Sequence, residues 1–209
     1  MEKPRTRDAE QTRRAILDAA TAEFSEKGFS GGRVDDIAAR TATTKRMIYY
    51  YFGGKEQLYA AVLEERYGDI RDAEAAEKLD DLPPLDALRR LVEITFDHHA
   101  ARPEFVRLVT VENIHEASHV KTSPTIRKRN AAVIGTIRTL LARGEAAGVF
   151  RKGVDPLDLH LLITGFCFHR VSNRHTLAAI FGQNLHSRKR AAAHRQMITE
   201  AVLRYIAPG

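Results

Sequence analysis

The sequence has little cysteine: Cys167 is the only one among 209 residues, so no disulfide can form within one chain. A single thiol fits the reducing cytoplasm, where we expect the protein to work. No apolar run approaches the roughly 18–20 residues that a membrane-spanning helix needs, so we expect no membrane partner. The stretch from Met1 to Arg14 is polar throughout, and we therefore expect no secretory signal there.

Strand signals are also scarce. Valine and isoleucine occur singly at helical spacing, and no Asn-Gly or Asp-Gly hairpin turn separates alternating runs. Ser123-Pro124 and Asp155-Pro156 instead supply helix caps with first-turn prolines, and Leu82-Pro83-Pro84 interrupts the chain. We predict an all-α fold, with helices at about 8–27, 34–41, 44–51, 55–78, 85–101, 103–118, 124–147, 156–172 and 187–206.

The net charge of +6 is unevenly distributed along the chain. Residues 1–60, 61–120 and 121–209 carry +2, −7 and +11 respectively. Charge alone would place a nucleic-acid surface in the last third, where basic residues cluster at 127–129 and 188–190. Such runs are usually solvated helix faces, and a motif near the N-terminus points elsewhere.

That motif consists of two short helical segments, at 34–40 and 44–52, joined by a three-residue turn. Val34, Ile37 and Ala38 form an apolar edge on the first segment, and Ile48 and Phe52 form one on the second. Helices this short are unstable alone, so both edges must dock on the preceding helix. The pattern predicts a helix-turn-helix.

The outward face of the second segment fits the major groove of DNA. Its basic side chains can reach phosphates or guanine edges, a methionine can touch a thymine methyl, and tyrosine hydroxyls can bond phosphate oxygens. Lys55 stands where the next helix begins and backbone N–H groups converge, which suits a phosphate clamp. We expect Tyr51 and Phe52 to be largely buried. The predicted DNA-binding residues are Arg33, Thr43, Thr44, Lys45, Arg46, Met47, Tyr49, Tyr50 and Lys55.

This region resembles the N-terminal module of TetR-family transcriptional regulators over roughly residues 12–60. The similarity is carried by Ile37-Ala38, Thr43-Thr44-Lys45, the run from Ile48 to Phe52, and the run from Lys55 to Tyr59. It implies an N-terminal three-helix helix-turn-helix module, here residues 1–54, and a C-terminal helical bundle for ligand binding and dimerisation, here residues 55–209. It further implies a homodimer that binds double-stranded operator DNA, most often a repressor released by a small organic effector, with no cofactor.

The motif departs from the family pattern at several positions. Ala42 stands where the family usually has glycine, and Thr43 where it has a buried valine. A left-handed alanine costs on the order of 1 kcal/mol, so the turn is either strained or shaped differently. Arg46, in a place often held by a small residue, reads a base, contacts a phosphate or is solvated. Arg33 contacts a phosphate or is a plain surface charge.

Beyond residue 60, polar groups on apolar helix faces are the main clue to a ligand site. Glu112 and His99 each fall on a predicted buried stripe, and a buried carboxylate must pair, become protonated or meet a ligand. We predict that these two side chains pair, either as an internal salt bridge or for ligand recognition. The predicted ligand-binding residues are Thr95, Phe96, His99, Val109, Glu112, Asn113, Ile134, Phe168 and His169.

The 156–172 segment is apolar nearly all round, so it must be covered on more than one side. Together with the 187–206 segment of each chain it is predicted to form a four-helix dimer interface. Arg170 shares a face with the apolar residues, where it meets a structural carboxylate or a ligand anion. The predicted interface residues are Leu162, Phe166, Arg170, Ile198 and Val202.

Three other functions are weaker interpretations of the sequence. His115 and His119 lie four apart, but one cysteine and no second matching pair argue against a metal site. An enzyme built on Glu112 and His99 would lack a nucleophile with a neighbouring base and a phosphate loop. A protein of membrane surfaces would need a cationic face opposite a continuous apolar one, which these segments lack.

Overall fold

The structure, a computed structural model, describes residues 4–184 and 186–209, with side chains from residue 8 onward. These residues form ten α-helices and no strand, so the predicted all-α fold is confirmed. The helices are α1 (Pro4–Gly31), α2 (Val34–Ala39), α3 (Lys45–Phe52), α4 (Lys55–Ala76), α5 (Pro84–Ala101), α6 (Pro103–Ile114), α7 (Pro124–Ala146), α8 (Pro156–Ser172), α9 (Arg174–Phe181) and α10 (Arg188–Ile206), with short 3₁₀ helices at Leu79–Asp81 and Val120–Thr122.

The predicted helix starts are confirmed by their caps. Asp155 accepts hydrogen bonds from the backbone N–H groups of Leu157 and Asp158 at 2.8 and 3.1 Å, and Pro156 opens α8. Ser123 accepts from the backbone N–H of Ile126 at 3.2 Å. Each cap satisfies a donor that has no partner within its helix.

Two predictions of secondary structure are wrong. The segment predicted as 103–118 ends as a helix at Ile114, because Glu116 and Ala117 adopt left-handed backbone angles, each with φ of 55°. The short helix α9 was missed. Its last residue, Phe181, and the neighbouring Ile180 are exposed, so α9 shows no buried stripe that periodicity could reveal.

The first compact unit comprises the residues up to Tyr67 and the segment Arg107–Arg127. Its core combines α1, α2, α3 and the start of α4; α2 packs on α1 as predicted, and α3 packs on α2. The fully buried residues at its centre include Ile16, Phe24, Ile37, Ile48, Leu58 and Tyr59.

The second compact unit comprises Gly68–Val106 and Lys128–Gly209. Helices α5, α8 and α10 pack on one another, and α7 adds a further side. Its buried residues include Leu88, Leu91, Ile137, Leu159, Ile163 and Val202. Residues 55–67 and 107–127 therefore group with the helix-turn-helix, and the functional boundary after residue 54 stays a prediction.

Within the residues that the structure describes, none of the helices combines the length and the apolar character needed to cross a membrane.

Two glycines of α7 provide a matched test of this packing. A Cβ at Gly144 would overlap the ring of the buried Phe150, whereas a Cβ at Gly135 would meet no atom within 4 Å. We expect Gly144→Ala to lower the free energy of unfolding by about 1–3 kcal/mol through overpacking. Gly135→Ala should raise it by about 0.5–1 kcal/mol, since alanine favours a helix. Urea unfolding of both variants measures the difference, and equal effects would contradict the packing described.

Candidate nucleic-acid interface

The helix-turn-helix is closed by local hydrogen bonds. The backbone N–H of Thr41 donates to the carbonyl of Ala38 at 3.1 Å, and the Thr44 hydroxyl accepts from the backbone N–H of Met47 at 3.4 Å. Ala42 is not among the described non-glycine residues with positive φ. The turn is therefore shaped differently from a left-handed one, and Ala42 carries no such strain.

A buried carboxylate fixes α2 to α1. Glu23 has no exposed surface, and its Oε1 accepts the backbone N–H of Arg33 at 3.2 Å, just before α2 begins. Lys27 and Arg40 place cationic nitrogens 2.8 and 3.1 Å from the same carboxylate. Because a buried carboxylate needs several partners, this arrangement restrains the position of α2. The prediction missed Glu23, although it lies seven residues after Ile16 on the same helical face.

The ammonium group of Lys27 also lies 2.9 Å from a carboxylate oxygen of Asp36 on α2. This hydrogen bond raises the pKa of Lys27 and lowers the pKa of Asp36. Both groups therefore stay charged around neutral pH. The pair is exposed, so its contribution to stability is small and its main effect is orientation.

One face of α3 points to solvent while the opposite face is buried. Ile48 has no exposed surface, whereas Tyr49 and Tyr50 are 43% and 77% exposed. Lys45 and Arg46 are exposed as well. We call Thr44, Lys45, Arg46, Tyr49 and Tyr50 the α3 face. Their polar groups can all approach a partner from the same side.

The side chains around the α3 face differ in exposure, and one of them pairs with Lys45. Lys45 Nζ lies 3.0 Å from Asp35 Oδ2, an exposed pair that a stronger anion can displace. Tyr51 and Phe52 pack against the core but remain partly exposed, so their predicted burial is only partial. Of the other predicted contacts, Arg33 is exposed, and Thr43, Met47 and Lys55 are half-buried.

Lys55, the first residue of α4, has its ammonium group close to the end of α1. Its Nζ lies 4.8 Å from the centre of the Phe29 ring and 3.4 Å from the carbonyl oxygen of Ser30. The cation–π contact holds the charge beside the start of α4, where free backbone N–H groups attract anions.

Comparison with known proteins identifies the family. The family described as "Bacterial regulatory proteins, tetR family" matches residues 16–62, and "Tetracyclin repressor-like, C-terminal domain" matches residues 84–202. The chain belongs to the TetR family of transcriptional regulators. The resemblance stated from the sequence is confirmed.

Individual relatives agree with this assignment. The chain is 37% identical to the HTH-type transcriptional repressor NicS of Pseudomonas putida, over 96% of this chain and 94% of NicS. It is 31% identical to the repressor SCO4008 of Streptomyces coelicolor, over 75% of this chain and 77% of that protein. The solved structure of the regulator SCO4942, also from Streptomyces coelicolor, superposes with a TM-score of 0.73 at 31% identity and covers 94% and 99% of the two chains. The chain is a DNA-binding regulator of this family rather than an enzyme.

In this TetR-family chain the predicted pairing of Glu112 with His99 is wrong. Glu112 is buried in the first unit and accepts from His119, whose Nδ1 lies 3.0 Å from Oε1. His99 belongs to the second unit, where its Nδ1 bonds the carbonyl of Thr95 at 2.7 Å. The pairing fails because the chain after Ile114 leaves the helix and folds back onto Glu112.

The other predicted ligand residues are dispersed. Val109 is half-buried and accepts from the exposed amide of Asn113 at 2.8 Å, within the first unit. In the second unit the Thr95 hydroxyl donates to its own helix, and His169 is exposed. Phe96 and Ile134 pack in the core, and Phe168 contacts the His99 ring. Three of the nine predicted residues thus belong to the first unit and six to the second.

A cleft of about 320 Å³ in the second unit offers a better candidate site. Its walls come from α4, α5 and α7 and contain both signs of charge. A guanidinium nitrogen of Arg71 lies 2.7 Å from a carboxylate oxygen of Glu74, whose pKa is raised by burial. The lining residues are Arg71, Glu74, Ala75, Lys78, Leu79, Asp80, Leu91, Arg129, Ala132, Val133 and Thr136.

The sequence prediction missed this cleft because it placed every predicted ligand residue at or after Thr95, beyond α4. Within α4, Ile70 and Glu74 are buried, and Arg71 is only partly exposed. The sequence does contain one sign of the cleft, because charged residues recur at helical spacing around Ile70. Their burial depends on α5 and α7, which are distant in sequence.

Two histidines lie within electrostatic range of Arg71 inside the second unit. Burial lowers the pKa of His99, and the charge of Arg71 lowers it further. Burial, followed by the charges of Arg71 and His99, lowers the pKa of His160 to about 4. Both imidazoles are therefore neutral at neutral pH and can offer one donor and one acceptor. Burial raises the pKa of Cys167 to about 12, so its thiol stays protonated.

Three predicted dimer residues are buried inside their own chain. Ile198 and Val202 belong to the core of the second unit, so they are not available to a second chain. Arg170 is also buried and donates from Nε to His194 at 3.1 Å, with its guanidinium 4.8 Å from the Phe96 ring. Ile198 and Val202 are buried because α10 packs this stripe on α5 and α8, and Arg170 of α8 is buried beside Phe96 of α5.

The other two predicted dimer residues differ in exposure: Leu162 is 39% exposed and Phe166 is half-buried. Further large apolar side chains of α8, α9 and α10 are exposed as well. These are Leu157, Leu161, Ile180, Phe181, Met197 and Tyr205. We call this set, with Leu162, the C-terminal apolar surface.

His115 and His119 do not share a helical face, because α6 ends at Ile114. His119 is engaged by Glu112, and His115 is exposed. Over the described part of the chain, no group of three or more histidine, cysteine, aspartate or glutamate side chains could hold a metal ion.

Acidification is expected to destabilise the protein through His160. Its pKa of about 4 in the folded chain lies below the ordinary value of 6.5, so the unfolded chain takes up the proton first. The stability contribution is complete above pH 6.5 and is lost progressively as the pH falls towards 4. The free energy of unfolding relative to His160→Gln should decrease by about 1–2 kcal/mol between about pH 7 and pH 5 in urea titrations. Parallel curves for the two proteins would contradict this assignment.

Proposed function

We propose that the protein is a homodimeric repressor that binds operator DNA through the α3 face and leaves it when a small organic effector binds the second unit. The observation that carries the proposal is that α3 is buried on one face and exposed on the other. Ile48 is completely buried while Tyr50, two residues later, is 77% exposed. A helix anchored on one side and polar on the other can enter a major groove without disturbing its own core.

The chemistry of the α3 face supports duplex binding. Lys45 and Arg46 supply cations for phosphates or guanine edges, and the tyrosine hydroxyls supply hydrogen bonds. Lys55 adds a cation at the first turn of α4, which suits a phosphate. Two relatives, NicS and SCO4008, are named transcriptional repressors, which supports repression over activation. Because the target is genomic DNA, we place the protein in the cytoplasm.

A homodimer accounts for the C-terminal apolar surface. Leu161, Ile180 and Phe181 are each more than half exposed, and isolated chains rarely leave a large apolar patch in water. A second copy with twofold symmetry would cover it with the same surface. The two α3 helices would then enter successive major grooves, roughly 34–36 Å apart.

The cleft lined by Arg71 and Glu74 is the proposed effector site. Its volume suits a small molecule, and its mixed charges offer both donors and acceptors. Helix α4 contributes residues 55–67 to the first unit and residues 68–76 to the second. An effector that binds one position of this helix more tightly would therefore shift the DNA-binding unit.

Substitutions on the α3 face test DNA binding. Lys45→Ala and Tyr49→Ala should each weaken the operator complex by about tenfold or more, because each removes a phosphate or base contact. Their melting temperatures should stay near that of the wild type, since both side chains are exposed. Fluorescence anisotropy with the duplex upstream of the protein's own gene measures affinity, and native mass spectrometry should find two chains per duplex.

The matched control is Lys152→Ala, which removes the same charge from an exposed position of the second unit. An equal loss with this variant would indicate non-specific attraction. Unchanged affinity in both α3 variants would show that another surface binds DNA.

Filling the cleft tests the effector site. A thermal-shift screen of small organic compounds against the wild type first selects a ligand that also releases operator DNA; near 100 times its Kd, such a ligand stabilises by about 3 kcal/mol. Ala132→Phe should abolish this shift, because Ala132 lines the cleft and is exposed. Ala131→Phe, on the adjacent exposed residue outside the lining, should retain it. Equal shifts in all three proteins would exclude the cleft.

A further inference from the structure

The segment that follows α6 is tied to one buried carboxylate. Glu112 is 2% exposed, and its Oε2 accepts the backbone N–H groups of His119 and Val120, both at 3.1 Å. Its Oε1 lies 3.0 Å from the Nδ1 atom of His119. The carboxylate therefore holds both the backbone and the side chain at residue 119.

The backbone of this segment is held in an unfavourable conformation. Glu116 and Ala117 are consecutive left-handed residues, although neither is glycine. Residues of this kind persist only where surrounding contacts fix them, and such positions are frequently functional. The three contacts to Glu112 supply that restraint, so the position of His119 is specified rather than incidental.

The imidazole of His119 packs on aromatic rings of the DNA-binding unit. Its ring centre lies 4.6 Å from that of Phe29 and 4.8 Å from that of Tyr59. Tyr59 has no exposed surface, so it provides a fixed wall. Phe29 follows the bend of α1 at Gly28, where a Cβ would stand 3.4 Å from Val111 of α6.

Phe29 contacts Lys55 as well as His119. The Lys55 ammonium lies 4.8 Å from the centre of the Phe29 ring. One ring thus lies against both the imidazole held by Glu112 and the cation expected to meet an operator phosphate. Phe29 also packs on Tyr59, with ring centres 5.1 Å apart, so loss of the imidazole would remove one of the contacts that position the ring beneath Lys55.

We propose that His119, held by Glu112, is a positioning residue for DNA binding, which sets the Lys55 ammonium for its phosphate through the Phe29 ring. This proposal rests on the proposed function. His119 itself is not expected to touch DNA. It acts from the segment between α6 and α7, outside the helix-turn-helix.

A double-mutant cycle in the full-length protein tests this inference, using the operator duplex described above. Lys55→Ala should weaken binding about five- to tenfold and reduce the slope of log K against log salt by about 1, the value for one phosphate. His119→Ala should weaken binding about threefold or more and reduce the same slope. The double variant should bind no worse than Lys55→Ala, because both substitutions remove the same Lys55–phosphate contact.

Two further variants control for folding. Glu112→Gln keeps the side-chain shape and should reproduce the reduced salt slope more weakly, since it loses the charge that holds His119. His115→Ala, at an exposed position of the same segment, should leave both affinity and slope unchanged. Melting temperatures and circular dichroism of each variant identify any loss of structure.

The outcomes separate this proposal from the one on which it rests. If Lys45→Ala and Tyr49→Ala leave affinity unchanged, the proposed function is overturned. If they weaken binding but the losses from His119→Ala and Lys55→Ala multiply in the double variant, the positioning role alone is overturned. A reduced affinity of His119→Ala with an unchanged salt slope would likewise overturn it.

Discussion

The docking of α3 on the first core is the constraint on which the proposed DNA-binding surface depends. A helix of eight residues has too few internal hydrogen bonds to persist in water, so its conformation must come from tertiary packing. Ile48 supplies the apolar anchor, and the Thr44 cap satisfies a free donor at the start of the helix. The polar residues on the other side are then carried in a fixed arrangement, with little entropy left to lose when DNA binds.

Buried carboxylates fix how helices and segments pack inside each compact unit. Glu23 joins α1 to the start of α2, Glu112 holds the segment after α6, and Glu74 pairs with Arg71 beside the cleft. Burying an ion costs free energy unless several partners surround it. Each carboxylate therefore favours the one helix packing that brings its partners together over slightly shifted packings. Hydrophobic contacts alone would tolerate small shifts of the same helices. The packing around the α3 face thus depends on buried carboxylates that lie outside that face.

The sequence predicted the helix-turn-helix well because its signals are local. Apolar spacing, the Thr44 cap and the aromatic run all lie within twenty residues of one another. The candidate cleft could not be found in this way. Pairing Glu112 with His99 assumed that α6 continues. The sequence contains no sign that it ends, because the left-handed residues Glu116 and Ala117 are not glycines. Ile198 and Val202 were assigned to a dimer interface for a similar reason. A stripe on α10 can face either its own core or a partner, and periodicity does not distinguish them.

Communication between the units depends on how the chain passes from one to the other. The three passages fall after Tyr67, Val106 and Arg127, and these lie within α4, α6 and α7. None is a flexible linker of glycine or serine, which would let one unit move without the other. The proposed function assigns to α4 the role of carrying the effector's influence, because a helix keeps its backbone hydrogen bonds when it shifts. In the proposed function, an effector with a preference of 1–3 kcal/mol for one position of these helices would change operator affinity about 5- to 150-fold.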